Sequence, residues 1–127
     1  MNEVRSYRDL LVWQKSLSLV KNIYSRTLSF PKCEAYGLSA QMRRAAVSIP
    51  SNIAEGQGRR GTGEFKQFLG TARGSALELE TQLLIARDLG YLHRNEVDAL
   101  LNQLGEIGRM LNGLLKALPA KRSAQCS

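Results

Sequence analysis

Cysteine, proline and histidine are scarce in this chain. Among 127 residues there are two cysteines, three prolines and one histidine. A chain of this length can close one core without a disulfide or a metal. Cys33 and Cys126, isolated in a predicted turn and near the end of the chain, therefore read as free thiols in a reducing compartment. His93 has no set of companions: structural zinc needs four clustered nitrogen and sulfur ligands, and Cys33 is its one conceivable partner outside the carboxylates. No metal and no cofactor are expected. No apolar run reaches the roughly 18 residues needed to span a bilayer, and the opening MNEVRSYRDL lacks the apolar centre of a signal peptide. The expectation is a cytoplasmic protein with no membrane segment.

Catalytic constellations are missing as well. No nucleophile, base and orienting group recur together, so an enzyme is not expected. Glu78 and Glu80 form the nearest thing to a carboxylate pair, but residues two apart on a helix point in different directions. Glu78 is better placed to reach Gln82. Sustained two-residue alternation is also lacking, so no sheet is expected.

What remains is helical. Hydrophobic residues make up 43% of the chain, and leucine and alanine, both strong helix formers, outnumber valine and isoleucine. Apolar residues recur every three or four positions in four segments. The first runs from about Tyr7 to Leu28, with Ser6 as N-cap and Leu10, Trp13, Leu17, Val20 and Tyr24 as its core stripe. The second runs from Glu34 or Leu38 to Glu55 on Leu38, Met42, Ala45, Ile49 and Ile53. The third, about Gly63 to Leu89, is capped by Thr62. It places Phe65, Phe68, Ala72, Leu79, Leu83 and Ala86 on one face, with Leu69 and Ala76 beside them. The fourth, about Arg94 to Leu118, is capped by His93 or Asn95 and follows Val97, Leu100, Leu104, Ile107, Leu111, Leu114 and Leu118. Short connections make successive helices antiparallel. The fold class is all-α: an antiparallel up-down-up-down four-helix bundle over residues 1–118, with 119–127 (PAKRSAQCS) as a disordered tail.

Two of these helices carry more apolar surface than one bundle face needs. At 100° per residue the apolar arc of the fourth spans about 180°, against a usual width of little over 100°. Each leucine-sized side chain left in water forgoes about 1.5–3 kcal/mol, and a contiguous patch of that kind marks an interface. Leu11, Leu19, Leu101, Met110 and Leu115 are the residues expected between copies of a homo-oligomer.

The net charge of +7 is unevenly spread. Residues 1–73 carry twelve positive and five negative charges, whereas residues 74–127 carry six of each. This asymmetry points to an anionic partner, nucleic acid being the commonest. The contacts expected are Arg43, Arg44, Arg59, Arg60, Lys66 and Arg73, with Lys15 and Lys21 on the first helix. Arg59 and Arg60 stand in a glycine-rich turn before the third helix, where backbone amides and two guanidinium groups can hold an anion. The turn is no Walker A loop: it follows no strand and lacks the Gly-Lys-Ser/Thr ending. Trp13, Phe65 and Phe68 fall on core stripes and read as core, not as stacking platforms.

The stretch QMRRAAVSIPSNIAEG, Gln41 to Gly56, is the most distinctive. Pro50 inside it removes an amide and frees the Ala46 carbonyl, for which Asn52 or Ser48 is a candidate donor. Together with DLLVWQKSLSLVKNIY (Asp9 to Tyr24) and EFKQFLGTARGSALELETQL (Glu64 to Leu83), this stretch resembles the four-helix bundle proteins related to the 23S rRNA intervening-sequence protein, the S23 family. The resemblance covers about Tyr7 to Leu118. It implies a bundle that assembles into rings, pentamers among related members. Many relatives are encoded within insertions in bacterial 23S rRNA genes. A more distant branch, the accessory variability determinant of diversity-generating retroelements, binds a reverse transcriptase and nucleic acid. No catalytic residues come with the family. Arg43, Arg44 and Arg59 match its basic positions, their nucleic-acid role being an inference from charge. The expected function is a non-enzymatic oligomer, most simply a homopentamer, that binds RNA or a ribonucleoprotein. The alternative is a protein-interaction adaptor without a nucleic-acid role.

Overall fold

The computed structural model describes residues 6–119, and the segment expected to be a disordered tail lies, from residue 120 on, outside the described residues. Four helices account for most of the described chain: α1 (Leu11–Thr27), α2 (Leu38–Gln57), α3 (Thr62–Asp88) and α4 (Arg94–Ala117). Short 3₁₀ turns at Tyr7–Asp9 and Lys32–Glu34 precede α1 and α2. No strand occurs among the described residues.

Cross-helix contacts run in opposite chain directions between α1 and α4 and between α2 and α3. Lys15 meets Glu106, Asn22 meets Gln103 and Arg26 meets Glu96 between α1 and α4. Tyr24 meets Arg43 between α1 and α2. Ser48 meets Ser75 between α2 and α3, while a Cβ on Gly56 would meet Phe68. α1 thus packs antiparallel on α4, and α2 on α3. The result is an all-α four-helix bundle.

The cores of α2 and α4 follow the expected stripes. Met42, Ala45, Ile49 and Ile53 on α2, and Val97, Leu100, Leu104, Ile107 and Leu111 on α4, are buried. On α3, Leu69 and Ala76 are fully in the core, while Phe65 and Phe68 are half-buried. The caps shift slightly: Gly61, not Thr62, is the N-cap of α3, and the predicted Ser6 cap belongs to the 3₁₀ turn, where its hydroxyl accepts from the Arg8 amide at 3.2 Å. At the start of α4 the Glu96 carboxylate accepts from the His93 amide at 2.9 Å.

The face of α1 is the main correction. Its buried residues are Val12, Ser16, Leu19, Ile23 and Thr27. The expected core stripe of Leu10, Trp13, Leu17 and Val20 is only half-buried, and Tyr24 is 43% exposed. Two hydroxyl residues make this rotation affordable. The Ser16 hydroxyl donates to the Val12 carbonyl and the Thr27 hydroxyl to the Ile23 carbonyl, both at 2.7 Å. Each satisfies its own polarity on its own helix, so each can face the core. Leu19 is consequently 0% exposed. It has no surface to offer a second copy, and its expected place in an oligomer interface is withdrawn.

Packing is closest between α2 and α3. An added Cβ on Gly56 would lie 2.7 Å from the Phe68 Cβ, nearer than two side chains can approach. Gly56 therefore lies inside α2, which runs to Gln57 and not to Glu55, and admits α3. Pro50 is also buried and α2 runs on through it. The Asn52 amide donates to the Ser48 carbonyl at 2.8 Å and to the Ser48 hydroxyl at 2.9 Å, not to the Ala46 carbonyl. The α3–α4 turn closes on Gly90, at φ 79°, with the Tyr91 amide donating back to the Ala86 carbonyl at 2.9 Å. That six-to-one bond with a left-handed residue is the Schellman arrangement. Among the described residues one buried side-chain acceptor, Gln82 Oε1, has no partner, although its amide reaches Glu78 at 3.3 Å as expected.

Candidate nucleic-acid interface

The eight basic residues expected at a nucleic-acid site do not form one patch. Arg43 and Arg44 stand on the outer flank of α2, facing α1. Arg43 lies over the Tyr24 ring, its guanidinium carbon 4.6 Å from the centroid. It also donates to the Thr27 hydroxyl at 2.8 Å and the Tyr24 carbonyl at 3.3 Å. These contacts fix the guanidinium and the ring as a unit, and a cation over an aromatic face is attractive in itself. Arg44 is exposed and makes no hydrogen bond or ion pair among the described residues. Both arginines and Tyr24 line a groove of about 520 Å³, closed on one side by Ala35, Ala40 and Val47. Lys21 is exposed one turn before Tyr24 on the same side of α1.

The turn before α3 is different. Arg59 donates to the Glu55 carboxylate at 2.7 Å, lies 3.9 Å from Glu64, and packs over Phe68 at 4.9 Å. Its charge is already matched by two carboxylates, and Glu64 sits in the first turn of α3, where an incoming anion would bind. Arg60 is exposed and Lys66 half-buried, each without a partner among the described residues. Of the two arginines of this turn, Arg59 is thus already paired and Arg60 is left without a partner among the described residues.

Lys15 pairs with Glu106 across α1 and α4 at 3.3 Å. Arg73 lies on the far side of the bundle, where it lines a cavity of about 440 Å³ with Asn112, Leu115 and Lys116. Sequence reasoning passed over Lys116 because only the α3–α4 packing brings it to Arg73. It passed over Tyr24 because the residue fell on a presumed core stripe.

The loop beside the Arg43–Arg44 groove is held by Glu34. Its carboxylate accepts from the Leu38 amide at 2.9 Å and from the Tyr91 hydroxyl at 2.8 Å. The backbone amide, then the Tyr91 hydroxyl, hold the Glu34 carboxyl below the usual carboxylate range, and the same bond to Glu34 raises Tyr91. Phe30 packs on Tyr91 with ring centroids 5.2 Å apart. The wall carrying Ala35 is thereby tied to the α3–α4 turn.

Of the apolar residues expected between copies, Leu11 and Met110 converge. With Leu10 and Leu114 they line a hollow of about 330 Å³ where α1 begins and α4 ends. Leu11 is 55% exposed. Leu101 and Leu115 are half-buried elsewhere on α4 and pack partly on the core. Among the described residues there is no cluster of three or more metal-ligating side chains, and no helix is long and apolar enough to cross a membrane. Cys33 is an exposed free thiol, and Cys126 lies outside the described residues.

Fold and groove together define a class: an all-α four-helix bundle with a cationic, aromatic-bearing flank. The chain belongs to the 23S rRNA-intervening sequence protein family, which matches residues 8–113. Among solved structures it is similar to a protein of unknown function from the S23 ribosomal protein family of Bacteroides thetaiotaomicron. The two are 25% identical with a TM-score of 0.78, over 84% of this chain and 96% of that one. No curated protein gives a match.

Proposed function

We propose that this protein is a non-enzymatic RNA-binding bundle that works as an assembly of copies, with the α1–α2 flank as its RNA-binding face. One observation carries the reading: Arg43, Arg44 and Tyr24 converge on a groove lined by no carboxylate, in a chain with a net charge of +7. Guanidinium groups bind phosphate bidentately, and neutralising phosphates releases counterions, which drives such binding. The family description, which names 23S rRNA, supports RNA as the polyanion. The Leu11–Met110 hollow is the apolar surface offered to a second copy, and a homopentamer is the assembly that the family resemblance implies.

Reversing Arg43 and Arg44 together to glutamate should lower affinity for a structured RNA at least tenfold in fluorescence anisotropy. Reversing Arg59 and Arg60 should change it less, because Glu55 and Glu64 already offset Arg59. Equal losses from the two double variants would move the site to the turn. Light scattering should give a mass several times 14.1 kDa; a monomeric mass at micromolar concentration would remove the assembly from this reading.

A further inference from the structure

Val47 stands on the wall of the Arg43–Arg44 groove. The same residue lines a second hollow of about 300 Å³ between α1 and α2, together with Trp13, Leu17, Val20 and Pro50. The two hollows share Val47 and follow one another along the α1–α2 furrow. Its Tyr24 end is cationic and its Trp13 end is apolar. Tyr7 packs edge-on against Trp13 with centroids 5.1 Å apart, so the apolar end also presents aromatic surface. Neither half is lined by an aspartate or glutamate.

An occupant of this furrow needs repeating negative charge and flat apolar faces at once. A paired duplex presents charge but keeps its base faces stacked inside. A-form RNA in particular is read by shape and backbone, whereas unpaired bases are recognised by stacking on aromatic rings and guanidinium planes. Trp13 and Tyr24 are eleven residues apart on α1, about 16 Å along the axis, a span that several unpaired nucleotides can cover. Tyr24 has Arg43 on one face yet remains 43% exposed. Arg44 and Lys21 flank it without competing partners among the described residues.

Building on the RNA-binding reading above, we infer that the α1–α2 furrow takes an unpaired RNA segment, with bases stacking at Tyr24 and beside Trp13 and phosphates meeting Arg44 and Lys21. The class of RNA selected is therefore single-stranded, or a loop or bulge.

Trp13 is the chain's single tryptophan, so it reports on the furrow directly. The full chain is titrated with a fluorescein-labelled twelve-nucleotide oligoadenylate and, separately, with a twelve-base-pair RNA duplex at the same salt concentration. Anisotropy of the label and tryptophan emission are followed, the latter with unlabelled RNA. The expected result is at least tenfold tighter binding of the single strand, with Trp13 emission changing over the same concentration range. Tyr24→Ala should weaken single-strand binding at least fivefold, the lower end for loss of one stacked base, and duplex binding by less than twofold. Tyr24→Phe should restore it. Tyr24 is surface-exposed, so both variants should keep the helical circular dichroism of the parent. Equal or tighter duplex binding, unchanged Trp13 emission while the single strand binds, or an unaffected Tyr24→Ala would each overturn the furrow assignment and leave the RNA-binding reading standing. Failure of both RNAs to bind would overturn both.

Discussion

The two sides of α2 put the same helix to opposite uses. Toward α3 it is closed: Gly56 admits the neighbouring helix at a distance no side chain tolerates, and Ser48, Asn52 and Ser75 satisfy one another across the seam. Toward α1 it is open: Arg44 and Val47 are exposed, and a furrow separates them from Trp13 and Tyr24. A bundle needs the first kind of surface to fold. It has no packing use for the second, where a guanidinium group without a partner among the described residues sits beside an exposed aromatic ring. The difference separates what holds this protein together from what it offers to others.

That separation predicts that substitutions on the closed side move stability while those on the open side move binding. The largest stability effect should come from Ile49, which is 0% exposed. Ile49→Ala should cost about 2–5 kcal/mol in denaturant unfolding, with RNA affinity of the folded fraction unchanged. Gly56→Ala should cost about 1–3 kcal/mol by overpacking against Phe68, again without altering affinity. A change in affinity with either variant would mean that the two sides of α2 are coupled.

The smallest effect concerns Glu34, which braces the furrow wall from the loop side. Its folded carboxyl titrates below its ordinary value of 4.5. Its contribution is therefore present above that value and is lost as pH falls through the folded pKa. Glu34→Gln should flatten the acid limb of the stability curve below about pH 4.5 and leave neutral pH little changed, as followed by thermal unfolding across pH. An acid limb identical to the parent's would show that the Glu34 charge contributes nothing through the Leu38 amide and the Tyr91 hydroxyl.

Much of this architecture was legible in the sequence, for identifiable reasons. On α4 every buried position is apolar, and on α2 every one but Ser39, so period alone finds the buried face. On α1 the buried face includes Ser16 and Thr27, which a hydropathy pattern discards. Their polarity is cancelled by bonds to carbonyls one turn back, and the apolar stripe beside them lies half-buried at the edge of the core. The basic site was half legible for a related reason. Adjacent arginines in a glycine-rich turn look like an anion site, but Glu55 and Glu64 fold back onto Arg59. The site we propose joins Arg43 to a tyrosine nineteen residues earlier, a meeting that only the packing of α1 on α2 arranges. Leu11 and Met110 likewise come together only because α4 returns beside the start of α1.

The central claim is that Arg44, on the open side of α2, meets phosphate. The most direct test is the salt dependence of RNA binding by the parent and Arg44→Gln, measured by anisotropy from low to moderate ionic strength. Removing one phosphate contact should weaken binding at low salt and reduce the slope of log affinity against log salt by about one. Parallel salt lines with equal affinity at every ionic strength would contradict the account.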